Sequence, residues 1–146
     1  MTRSQKLLVI FLRMAVGWFL LYQGITAILN PDWSLLPFIQ PAYTFPEFYA
    51  SISAQDILPY ITYLVKGLFV ISGALLIAGL FVRIGAFLGI ILMLFFYFPG
   101  LSFPYVGSGY YIIDNNLLLA ILLAYLFVIR AGEFFGLGTM FRFSRY

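Results

Sequence analysis

The chain has 146 residues, of which 64% are hydrophobic and only 9% charged, against about 25% charged in soluble domains. Water cannot wet such a surface, so a soluble enzyme is excluded and the solvent is lipid. A formal charge of +3 from eight scattered basic residues gives no electrostatic footprint for nucleic acid, which removes DNA and RNA as partners.

The chain contains no cysteine and no histidine. That excludes disulfides, thiolate metal sites, iron-sulfur clusters held by this chain, the usual zinc sites and His-ligated haem. Electron transfer would need a cofactor held by other groups, such as a quinone, or one carried by a partner subunit.

Four apolar stretches, 7–29, 57–80, 84–98 and 115–130, approach the roughly 20 residues needed to cross a bilayer as helix. They predict an all-α integral membrane four-helix bundle, one unit over residues 1–146, multi-pass in the plasma (inner) membrane. The first stretch follows Arg3 and Lys6, as a secretory signal would. It is too long for a signal, Arg13 interrupts it and no cleavage site follows, so it is expected to remain as a helix.

Arg13 and Lys66 lie within the first and second spans, where a charge is costly enough to mark function by default. Either could instead reach the nearer interface along its own aliphatic stem. Helical phase favours the interior: Arg13 shares a face with Gly17 and Gly24, and Lys66 with Gly73, and glycine faces are where helices meet in lipid. Trp18, Tyr22 and Gln23 place polar tips inside the first span and are candidates for lining a quinone or lipid site. Gly79 in the second span, with Gly85 and Gly89 in the third, completes the set of packing glycines. A dimer contact is the alternative use of the Gly85–Gly89 pair, and packing within a bundle is the commoner one.

All seven prolines are expected outside helix interiors or in first turns. The connection 30–56, rich in aromatics and proline, reads as an interfacial cap with a short helix over 46–53. The segment 98–111 reads as similar in character, roofing the outer end of the bundle together with that connection, and no sheet is expected. Asp56 and Asp114 are expected to cap the second and fourth helices. A Lys66–Asp114 ion pair is geometrically allowed, Tyr125 falls on the Asp114 face, and Glu133 is the acidic candidate for Arg13. No phosphate loop, metalloprotease motif, nucleophile elbow or paired carboxylates occur.

Several short segments in order, Leu12-Arg13-Met14-Ala15-Val16-Gly17-Trp18, Tyr22-Gln23-Gly24, Asn30-Pro31-Asp32-Trp33-Ser34, Gly73 to Arg83, Tyr111 to Leu117 and the tail Gly132 to Leu137, resemble the DoxX superfamily. That superfamily includes the membrane subunit of thiosulfate:quinone oxidoreductase. The resemblance implies a four-helix bundle with both termini inside. The chain departs from it where relatives often carry charges, having Ala27, Phe69 and Val70, and Gly136-Leu137-Gly138 in the tail.

Two functions follow as expectations. One is a non-catalytic accessory subunit of a larger membrane complex, respiratory or quinone-linked. The other is a quinone-binding subunit of a thiosulfate:quinone oxidoreductase-like enzyme, with Arg13, Trp18, Tyr22, Gln23, Lys66, Asp114 and Tyr125 as candidate site residues and no metal.

Basic residues outside the spans lie at both ends of the chain and at Arg83, whereas the connection 30–56 and the segment 98–111 have none. By the positive-inside rule both termini face the cytoplasm. With no native cysteine to compete, Phe45→Cys should react with a membrane-impermeant maleimide from the non-cytoplasmic side of intact cells. Protection there, with reaction only after the membrane is opened, would show the charge argument wrong.

Overall fold

The computed structural model describes residues 2–129 and residue 131. Helix α1 runs Arg3–Leu29, α2 Leu36–Ile39, α3 Pro46–Ile52, α4 Leu58–Ala78, α5 Val82–Gly100 and α6 Asn115–Val128. Three of these, α1, α4 and α5, are long and apolar enough to cross a membrane, while the described part of α6 has 14 residues. The chain is a mostly helical, multi-pass membrane protein. The predicted fourth span ends at Arg130, which lies outside the described residues.

Local chemistry sets the helix ends. Thr2 caps α1 in a reciprocal box with Gln5, so the helix begins four residues earlier than hydropathy indicates, because a cap rather than an apolar run decides its start. Asn30 and Pro31 end it as expected. Asp56 does not cap α4; that position belongs to Ile57, with no side-chain bond, and Pro59 supplies the first-turn residue instead. Asp114 does cap α6, accepting from the Leu117 N–H at 2.8 Å. Gly79, expected in a packing face, has φ 68° and closes α4. It makes the turn into α5 together with Phe81 at φ 47°, a backbone region that glycine enters without strain.

The bundle closes as a ring in which α1 packs along α4, α4 along α5, and α5 along α6, with slight contact between α6 and α1. Glycines set the first contact. A Cβ on Gly17 would lie 2.9 Å from Leu76 Cβ, and one on Gly24 2.7 Å from the Val70 backbone; one on Gly73 would collide with the Leu21 backbone and the Gly17 carbonyl. Gly85 and Gly89 face inward as well, against Leu75 and Leu123, with the buried Ser72 hydroxyl donating to the Gly85 carbonyl at 2.7 Å. The Gly-x-x-x-Gly pair thus packs within the chain.

One proline breaks the expected rule. Pro99 sits inside the last turn of α5, and lacking an N–H it cannot bond the Phe95 carbonyl one turn back. The Tyr49 hydroxyl of α3 donates to that carbonyl at 2.9 Å. Beyond it, the Pro99 carbonyl accepts from the Tyr43 N–H, the Gly100 carbonyl from the Gly107 N–H, and the Leu101 carbonyl from the Thr44 hydroxyl. The connection 30–56 is therefore fastened onto the end of α5 as a cap. It contains α2, which the sequence reading missed, and α3 almost where expected. Segment 98–111 differs from expectation: Leu101–Ser102, Tyr105–Val106 and Tyr110–Tyr111 form a small antiparallel sheet, β1-β2-β3. The residual edge groups of the helix end give that hairpin its first partners.

Two stability outcomes follow. Gly73→Ala should cost about 1–3 kcal/mol by forcing α1 and α4 apart, whereas Gly67→Ala, with nothing within 4 Å of the added carbon, should be neutral or stabilising through helix propensity; thermal melts of both variants in one detergent check this. Burial pushes the Tyr49 hydroxyl up from the ordinary 10.0 to about 12. The neutral phenol is the form the fold prefers, so its stabilisation is complete below pH 10 and is lost as pH rises towards 12. Tyr49→Phe should cost about 1 kcal/mol at neutral pH and lessen the alkaline loss, as read by melts across that range.

Candidate functional site

Beneath the cap, where four helices converge, lies a cavity of about 210 Å³. Phe19 and Gln23 reach it from α1, Phe69 from α4, Met93 and Phe96 from α5, and Asn116 from α6. Trp33 and Phe38 close it from the cap. Gln23 is six residues before the end of α1, about 9 Å of helix, so the cavity sits near the end of the bundle that carries the cap. It is of the size of a single substituted ring rather than of a drug-sized ligand, which takes about 300 Å³ or more.

Its walls are flat. Phe38 stacks on Trp33 with centroids 5.6 Å apart and meets Phe96 edge-on at 5.7 Å, and Phe96 lies 5.7 Å from Phe69. Among the described lining residues the polar side-chain groups are the carboxamides of Gln23 and Asn116 and the Trp33 indole N–H. Asn116 donates one N–H to an Asp114 oxygen at 3.0 Å; a carboxylate only accepts, so this bond fixes the amide orientation and leaves its carbonyl oxygen and second N–H for a ligand. Aromatic faces with two carboxamides suit a planar ring bearing carbonyl oxygens.

The residues singled out from sequence are not brought to one place. Gln23 lines the cavity. Trp18 and Tyr22 do not: their rings pair at 6.5 Å on the outside of α1, 64% and 57% exposed, because the glycine face turned toward α4 carries them the opposite way. Asp114 stands behind the cavity as helix cap and hydrogen-bond acceptor. Lys66 is buried, 5% exposed, yet does not pair with Asp114; its ammonium lies 5.3 Å from the Trp33 ring centre and 5.6 Å from that of Tyr63. Asp114 is already engaged by Leu117 and Asn116, and two aromatic faces take the cation instead.

Arg13 is also buried, at 3%, in the other half of α1, where it donates to the Ala131 carbonyl at 3.2 Å. Glu133 lies outside the described residues. Tyr125 is eleven residues along α6 from Asp114, about 16 Å, so sharing a face does not bring the two together. It borders a separate cavity of about 280 Å³ with Gln5, Leu8, Val9, Leu12 and Ile129, in the loose seam between α1 and α6. A larger hollow against Tyr49 and Pro41 is shallow and lies on the outside of the cap.

Asn116, Phe69, Phe96 and the cap rings escaped the sequence reading. Asn116 alone had a visible signal, an amide in the first turn of an apolar helix, two residues after its cap; the rings were indistinguishable from an interfacial aromatic belt. Among the described residues no cluster of His, Cys, Asp or Glu could hold a metal.

No curated protein and no solved structure matches the chain. The model of the DoxX family matches residues 8–100, from the first turns of α1 to the end of α5, and so takes in Phe19, Gln23, the cap and Lys66. The resemblance noted at Tyr111–Leu117 falls beyond that match. Over most of its length, including all but one of the residues around the cavity under the cap, this chain belongs to the DoxX family.

Proposed function

We propose that the protein is a quinone-binding membrane subunit that works as an accessory to a larger respiratory complex in the plasma membrane. The observation that carries this is the cavity under the cap, a flat aromatic slot with one carboxamide from α1 and one from α6. Gln23 and Asn116 would hold the two carbonyl oxygens of a quinone ring, and Phe38, Phe69 and Phe96 would fix its plane. A bound quinone exchanges electrons and protons with the membrane pool. The chain has neither cysteine nor histidine, so the electrons belong to a centre on another subunit. This reading includes the fourth crossing expected over 115–130, with both termini cytoplasmic as the charges indicate.

Cap and cavity are built together. Trp33 and Phe38 reach the ring slot because Tyr43, Thr44 and Tyr49 hold their connection to the end of α5. The residues of this chain thus bind, orient and shield a ring from water on the outer side.

Quinone binding to the purified protein in lipid nanodiscs tests the proposal. Gln23→Leu and Asn116→Leu should each weaken binding about tenfold, the worth of one hydrogen bond to a ligand carbonyl, while Trp18→Phe should leave it unchanged. Equal binding by all three variants, or none by the wild type, would overturn the quinone site; a complex that still co-purifies in the latter case would leave the accessory role as the function.

A further inference from the structure

Lys66 has no carboxylate and no hydrogen-bond acceptor among the described residues, and it is 5% exposed. An ammonium in such a place is costly, and the two rings it touches offset only part of the cost. One of those rings, Trp33, is a wall of the cavity under the cap. We infer that Lys66 places a positive charge against the Trp33 wall of this cavity, so that the site prefers a quinone-type ring carrying one negative charge, such as a hydroxyquinone in its enolate form. This rests on the reading of the cavity as a ring site and narrows the kind of ring.

The charges facing the cavity decide the sign. Asp114 stands behind Asn116, but its two oxygens accept from Leu117 and Asn116, and it lies at the positive end of α6, which offsets its charge. Asp32, adjacent to Trp33 in sequence, is exposed, as are Glu47 and Asp56, and water screens them. Lys66 is enclosed by apolar groups and rings, where a charge acts over a longer range than it does in water. Lys66 thereby tips the field in the slot towards positive. Neither carboxamide reverses it, since each offers both a donor and an acceptor.

The matched probes are lawsone, a hydroxynaphthoquinone that is an anion at neutral pH, and its neutral methyl ether. Both present the same ring to the slot. In the full-length Trp18→Phe protein, Trp33 is the remaining tryptophan and reports occupancy through fluorescence quenching. Lawsone should bind about tenfold more tightly than the ether. Lys66→Met should abolish that preference while retaining ether binding, and Lys66→Arg should keep it. Equal affinities in the Trp18→Phe protein, or a preference that survives Lys66→Met, overturn the inference while the ring site stands. Absence of quenching by either probe overturns the ring site and the inference with it. The comparison of the two probes on one protein decides the matter even if Lys66→Met fails to fold.

Discussion

The close approach of α1 to α4 at Gly17, Gly24 and Gly73 is the contact on which the remaining geometry depends. In lipid there is no hydrophobic drive to bring helices together, so van der Waals contact between backbones has to do so, and it needs faces without side chains. Once α1 is set against α4 in that way, its other faces are assigned. Arg13 turns inward, Trp18 and Tyr22 turn outward, and Phe19 and Gln23 come to border the space above α5. The same contact fixes the phase of α4 that buries Lys66.

A second constraint operates at the end of the bundle that carries the cap. Backbone groups near a membrane must find partners within the protein, and Pro99 leaves the end of α5 with carbonyls that the helix cannot serve. The cap and the small sheet supply those partners from Tyr43, Thr44, Tyr49 and Gly107. This accounts for an aromatic, proline-rich connection being ordered rather than free. It also explains why the roof of the cavity lies where it does: the bonds that complete α5 are the ones that bring Trp33 and Phe38 over Gln23 and Asn116.

Hydropathy and charge made the membrane class and the long helices readable, and phase made the inward direction of Arg13 and Lys66 readable, because both signals are periodic and local. The sheet at Leu101–Tyr111 was not readable, since two-residue strands carry no period and form only because a neighbouring helix end needs donors. Trp18 was misplaced because polarity within a span was weighed above its phase relative to Gly17. The ion pair between Lys66 and Asp114 failed for a different reason: distance along the helices allowed it, but Asp114 was already committed to capping. Phe69 and Phe96 could not be told from lipid-facing rings by type alone.

Pro99 and Tyr49 are a matched pair whose worth cannot be divided between them. The proline creates a vacant acceptor on Phe95, and the phenol is the donor cut to it. Loss of the phenol alone leaves that carbonyl bare. Replacement of the proline by a residue with an N–H gives the carbonyl a helical partner and deprives the phenol of its own. The two positions are therefore epistatic, and substitutions at them will not add. A residue usually regarded as a helix breaker acts here as an address, specifying the turn of α5 on which the cap lands.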